Sequence, residues 1–106
     1  MTYKAMKPKV IASIVLFNHS YYDIKDTLLS LCHEESVEKI IFVDNGGCQW
    51  AASLNEPKVS YIKSPRNCGF GAGHNIAIKA SSDFDGYFLI CNPDISFDKQ
   101  SLDKLV

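Results

Sequence analysis

Tyr87-Phe-Leu-Ile-Cys-Asn92-Pro93-Asp94 is an apolar run that stops abruptly at an amide, a proline and a carboxylate. Gly86 and Pro93 bound it, and a proline cannot continue a central ladder, so residues 87–91 are expected to form a buried strand with Asp94 just past its carboxyl end. In open parallel α/β sheets that edge is where ligands bind, and a carboxylate there can hold a divalent cation against a phosphate. The same three residues also suit a plain turn. The rest of the chain decides between the two.

Immediately upstream stand Gly69-Phe-Gly-Ala-Gly73 and His74-Asn-Ile-Ala-Ile-Lys-Ala80. Gly73, Ile76, Ala77 and Ala80 share one face at helical spacing, so a glycine-rich loop is expected to open a helix. Residues 58–63 alternate loosely enough for a short strand, closed by Ser64-Pro-Arg-Asn67. Residues 48–57 carry only Trp50 and Leu54 as apolar anchors and suit at most one short helical turn. Ile40-Ile-Phe-Val43 forms a buried strand that Asp44-Asn-Gly-Gly47 ends with a strong turn signal.

Further out, residues 10–17 are a nearly unbroken β-branched and apolar run, which suits a central strand covered on both faces. Ser20 and Asp23 give an S-x-x-D start signal, and Ile24, Leu28, Leu31 and Cys32 make one stripe of a helix ending near His33. A last helix is expected over 96–106, carrying Leu102 and Leu105. Strand, helix, strand with a second strand–helix–strand behind it predicts an α/β fold: an open, mostly parallel, Rossmann-like doubly wound sheet with helices on both faces.

Composition sets few limits beyond these. Hydrophobic residues make up 46% and charged residues 22% of 106, ordinary globular usage for one small domain or a piece of a larger one. A net charge of −1 gives no reason to expect nucleic acid as a partner. No apolar stretch approaches the roughly 18 residues of a membrane span, and the run after Lys4, Lys7 and Lys9 has no small-residue cleavage site, so a mature cytoplasmic chain is expected. Cys32, Cys48, Cys68 and Cys91 lack metal-ligand spacing, and Cys32 and Cys91 fall in apolar patterns that suit buried free thiols.

Several residues with chemistry converge on one sheet edge. Asp44 and Asp94 both end strands and face the same edge of a parallel sheet; one suits a base or ribose donor and the other a hard cation, while turn capping is the plainer role of either. Phe17 and Asn18 end the first strand there, where an aromatic ring serves either the core or a stacked nucleobase. Glycines at the start of a helix let backbone N–H groups and the positive end of the helix dipole approach an anion, or simply let helix pack on sheet. Neither G-x-G-x-x-G nor G-K-[ST] is present. Of the three histidines, His74 alone falls in this region.

Taken together, Ser13-Ile-Val-Leu-Phe-Asn18, Val43-Asp-Asn-Gly46, Asn67-Cys-Gly-Phe-Gly-Ala-Gly-His-Asn75 and Leu89-Ile-Cys-Asn-Pro-Asp94 resemble, in order, the motifs of the family 2 nucleotide-sugar glycosyltransferases of GT-A fold, within them the rhamnosyltransferase-like branch. The resemblance implies that Phe17 stacks on a pyrimidine, Asp44 hydrogen-bonds that base, and Asp94 holds Mg²⁺ or Mn²⁺ on the diphosphate. It places Asn18, Asn67, Gly69, Gly71, Gly73, His74, Asn75 and Asn92 along the nucleotide. Asn92 stands for the first carboxylate of D-x-D, and His74 stands where many relatives carry arginine or asparagine. The implied reaction is inverting transfer of a sugar from a UDP- or dTDP-sugar to a hydroxyl of a glycan or lipid-linked acceptor, in cell-surface glycan synthesis. Residues 1–106 would be the nucleotide-sugar-binding half, with the acceptor half and its general base beyond them; Asp98 and Asp103 lie too close to the metal motif to be that base. A cut domain leaves apolar surface uncovered, so a homo-oligomer is expected. Lipid-linked acceptors would put the protein peripherally at the inner face of the membrane. The alternative on the same fold is a non-catalytic nucleotide-binding or oligomerisation module.

Overall fold

In the computed structural model, residues 9–93 are described. They form four parallel strands in the order β3-β2-β1-β4: β1 (Val10–Leu16), β2 (Val37–Asp44), β3 (Val59–Lys63) and β4 (Tyr87–Cys91). Helix α1 (Tyr21–His33) joins β1 to β2, and α2 (Gly69–Ala80) joins β3 to β4. The expected 96–106 helix and Asp94 lie outside the described residues.

Strand β1 sits at the centre because both its faces are apolar. Val10, Ala12, Ile14 and Leu16 join Ile24, Leu28 and Leu31 of α1 in one core, while Ile11 and Val15 join Ala77 of α2 in a second on the opposite face. Helices therefore cover both faces, as the unbroken β-branched run requires. Because α1 leads outward from β1 to β2 and α2 leads back across the sheet to β4, the chain reverses direction between β1 and β4. A crevice opens at such a switch point, outside the carboxyl ends of the strands.

Helix α1 begins as its sequence dictates. Ser20 accepts from the Asp23 N–H at 3.3 Å and Asp23 accepts from the Ser20 N–H at 2.8 Å, a closed capping box. At its other end Lys58 Nζ donates to the carbonyls of Cys32 and Glu34 at 3.0 and 3.1 Å, placing a cation on the negative end of the helix.

Three expectations need correction. The strand over 87–91 is present, but in the described sheet β4 is an edge rather than a buried strand: Tyr87 and Ile90 are exposed, and only Cys91 is fully buried. Strand β2 starts three residues before Ile40, at Val37; the exposed pair Glu38-Lys39 breaks the apolar pattern, and the ladder shifts register there, pairing Ile11 with Lys39 and Val10 with Val37 so that Glu38 is passed over as in a β-bulge. Helix α2 starts at Gly69, not after the glycines, and the face that packs is Gly73, Ile76 and Ala77, with Ala80 exposed. The weak stretch at 48–57 holds a single 3-10 turn, Gln49–Ser53, anchored by Trp50. All four cysteines are free thiols; Cys48 and Cys91 are buried, while Cys32 is only half-buried at the edge of the core. Among the described residues no helix is long and apolar enough to cross a membrane.

Candidate functional site

Parallel strands deliver their ends to one edge, and there the turns after β1 and β2 and the start of α2 are knitted together. The N–H of Asn45 donates to Leu16 O and the N–H of Asn18 to Gly46 O, both at 2.8 Å. Asn18 takes a left-handed backbone, φ 55°, which asparagine tolerates better than most residues. Its side chain fills the space beside Gly47, where any Cβ would overlap it and φ is +74°. Phe17 is 40% exposed, which settles its two sequence readings in favour of a ring at the surface. That ring lies against Gly46, within 3.4 Å of where a side chain there would begin.

His19 closes the first turn. Its Nδ1 accepts from the Phe17 N–H at 2.9 Å, so in the neutral ring the proton sits on Nε2. Its carbonyl accepts from Trp50 Nε1 at 2.8 Å and from the Cys48 thiol at 3.4 Å. Burial pushes the Cys48 thiol up, which keeps it a neutral donor.

Asp44 is fully covered, and both carboxylate oxygens are engaged within the chain. Oδ1 accepts from the Gly46 N–H at 2.8 Å and Oδ2 from the Tyr61 hydroxyl at 2.6 Å. Burial, then the bond to Asp44, push the Tyr61 hydroxyl up to about 12, so it stays protonated and donates. The geometry thus shows a strut bracing the turn that carries Gly46, where the sequence suggested a carboxylate offered to a base.

The glycines of α2 divide into distinct roles. Gly73 packs on the sheet: a Cβ there would lie 2.8 and 2.9 Å from the two Val15 methyls. Gly69 has φ +83° and Gly71 an ordinary helical backbone, and neither position has an atom within 4 Å of where a Cβ would stand. A helix start that combines a positive dipole end with open space at Gly71 is suited to an anion. Asn67 Oδ1 accepts from the Gly69 N–H at 3.1 Å and so caps this end. Asn45, which the sequence showed only as part of a turn, is 5% exposed and clamps α2 to the sheet: its Nδ2 donates to Gly69 O at 3.0 Å and its Oδ1 accepts from the Cys68 thiol at 3.4 Å.

His74 faces inward rather than toward the crevice. It is 6% exposed, with Nδ1 2.7 Å from Ser13 Oγ in the middle of β1, and burial pushes its pKa down. A neutral, buried imidazole supplies no counter-charge to a diphosphate. Asn92 is exposed just past β4, Asn75 is exposed in the middle of α2, and Pro93 O accepts from Thr27 Oγ1 at 2.8 Å, tying the end of β4 to α1.

Of the expected residues, the structure brings Phe17, Asn18, Asp44, Asn67 and Gly69 into one bonded network, with Gly73 packed beside it on Val15. Asn45, Tyr61 and His19 belong to that network and were not singled out, because an amide inside a turn signal, an alternating strand tyrosine and an unpaired histidine carry no distinctive pattern. No three of His, Cys, Asp and Glu come together as a metal cradle among the described residues, and Asp44 is already occupied, so the described residues do not by themselves fit a cation.

Comparison with known proteins finds matches to a family model and to solved structures. The family model described as Glycosyl transferase family 2 matches residues 13–106. Among solved structures, the chain is similar to S. aureus TarS, residues 1–349, with a TM-score of 0.72 at 19% sequence identity. The match covers 92% of this chain and 31% of that one, and at this identity the likeness shows a shared fold. No curated protein matches.

Proposed function

The chain belongs to glycosyl transferase family 2, and from that premise we propose that it is the nucleotide-sugar-binding half of an inverting glycosyltransferase. The observation that carries the reading is the convergence, at the topological switch point, of an exposed ring at Phe17 and an open helix start at Gly69 and Gly71. A base stacked on Phe17 leaves its diphosphate free to extend toward α2. Asn67, Asn75 and Asn92 offer neutral polar contacts along that path, and Asn18 and Asp44 hold the turns that shape it.

The donor is a UDP- or dTDP-sugar, and the acceptor is a hydroxyl of a glycan or lipid-linked sugar in cell-surface glycan synthesis. Transfer is one in-line displacement: the acceptor oxygen forms its bond to the sugar's anomeric carbon as the bond to phosphate breaks, with inversion. Negative charge grows on the departing nucleoside diphosphate, and N–H groups of the first turn of α2 stabilise it as it grows. A Mg²⁺ or Mn²⁺ held by Asp94 would add Lewis-acid stabilisation. That carboxylate lies outside the described residues, and no step here depends on the ion. The chain spans under a third of the matched TarS chain, and none of the described residues is proposed as general base. A second copy of the chain is proposed to cover exposed apolar side chains such as Tyr87 and Ile90.

Calorimetric titration with UDP and dTDP, with and without Mn²⁺, tests the donor site in the wild-type protein, Phe17→Ala and Asp94→Ala. Stacking of a base on an aromatic ring is worth about 1–3 kcal/mol, so Phe17→Ala should weaken binding by roughly five- to a hundredfold. Wild-type protein that binds neither nucleotide, or a Phe17→Ala variant that binds as tightly as wild type, overturns the proposal. Manganese dependence lost in Asp94→Ala would locate the ion.

A further inference from the structure

We infer that Tyr61, on β3, is a positioning residue for the nucleotide platform at Phe17, acting through Asp44 and Gly46. The inference deepens the donor-site reading and, in its binding arm, rests on it.

The path is continuous and short. Tyr61 donates to Asp44 Oδ2 at 2.6 Å; Asp44 Oδ1 accepts from the Gly46 N–H at 2.8 Å; Gly46 O accepts from the Asn18 N–H at 2.8 Å; the Phe17 ring rests on Gly46. Gly46 is thus held through both its N–H and its carbonyl, and it forms the surface on which the ring lies. As a glycine at φ +142° it has no side chain with which to hold itself. The carboxylate between Tyr61 and Gly46 is fully buried, so removing the hydroxyl leaves Oδ2 without that donor in a place water does not reach. A buried carboxylate oxygen that loses its partner turns toward another donor. That turn withdraws Oδ1 from Gly46, and the platform loses its brace. Tyr61 itself lies in the sheet opposite Phe42, with its ring packed on the core, so it is a fixed post rather than a mobile side chain.

A merely structural hydroxyl would affect stability and any function alike, whereas a positioning one acts through Phe17. A double-mutant cycle separates the two. UDP affinity is measured for wild type, Tyr61→Phe, Phe17→Ala and the double variant. Tyr61→Phe is expected to weaken binding about three- to tenfold in the wild-type background and to have no further effect once Phe17 is alanine. An equal loss in both backgrounds, or no loss in the first, overturns the inference. A second arm needs no nucleotide: amide hydrogen exchange, read by NMR, should quicken at Gly46 and Asn18 in Tyr61→Phe and stay unchanged at Ile14 and Phe42. Unchanged exchange at Gly46 and Asn18 overturns the inference even where UDP binds. Wild-type protein that binds no nucleotide overturns the donor-site reading instead, and the exchange arm then decides alone whether Tyr61 braces the turn.

Discussion

Replacing Gly73 by alanine places a methyl carbon 2.8 and 2.9 Å from the two methyls of Val15. Carbon atoms rest at about 3.5–4.0 Å, so helix or strand has to yield by roughly 0.6–1.2 Å. Val15 cannot give way cheaply: it is fully buried in the central strand, and its branched side chain has little rotamer freedom. Overpacking of this kind costs about 1–3 kcal/mol, against which alanine regains about 1 kcal/mol of helix propensity, leaving a net loss of about 0–2 kcal/mol. Gly71 is the matched control, in the same helix and with nothing within 4 Å of its would-be methyl. Gly71→Ala should leave stability unchanged or raise it by up to about 1 kcal/mol. Urea unfolding followed by circular dichroism measures both, and the difference between the variants isolates the clash. Introducing Val15→Ala removes the methyls concerned and should shrink the cost of Gly73→Ala. Equal stability of the two variants would refute the packing role given to Gly73. The functional order is reversed: Gly71→Ala should fold at least as well as wild type yet bind nucleotide more weakly, because its methyl enters the space proposed for the diphosphate.

Lys58→Met keeps the aliphatic stem but removes the ammonium from the Cys32 and Glu34 carbonyls; a loss of about 1 kcal/mol in urea unfolding is expected, smaller at high salt. His74 gives a pH signature. Its folded-state pKa lies below the ordinary 6.5, so as pH falls through that value the unfolded chain takes up a proton first. The contribution of the neutral, buried ring is complete above about pH 6.5 and declines below it. The Tm of wild type should therefore fall more steeply than that of His74→Gln between pH 7 and 5, and parallel curves would show that His74 does not titrate in this way.

Most of the scaffold was legible in the sequence because local signals and tertiary demands agree there. The S-x-x-D start of α1 closes as a capping box, and the unbroken run of β1 is covered on both faces. Boundaries failed where one pattern masked another. Glu38 and Lys39 look like loop but lie within β2, Lys39 paired with Ile11 and Glu38 at a shift of register, because a ladder is made by backbone groups and tolerates exposed charges. Glycines at 69, 71 and 73 look like loop but begin α2, because the helix start is fixed by the Asn67 cap and by Asn45 on Gly69, neither of which depends on intrinsic propensity. Exposure of Tyr87 and Ile90 was equally hidden, since an apolar run carries no record of which neighbours cover it.

The site was legible as a set of positions and illegible as a set of roles. Sequence order alone brings Phe17, Asp44 and the glycines to one edge, because parallel strands must end together. Which of them touches a ligand depends on side-chain direction, and that is decided by packing. Phe17 turns out to the surface, while Asp44 and His74 turn in to bond with Tyr61 and Ser13. Asp44 is therefore occupied in holding the edge together and His74 in a bond to the middle of β1, while an aromatic ring and neutral amides are among the surfaces left open to a ligand. Such a surface suits the flat base and phosphate proposed for it, through shape and dipole. In the donor-site proposal, selectivity for a nucleotide over free phosphate follows from needing both ends at once.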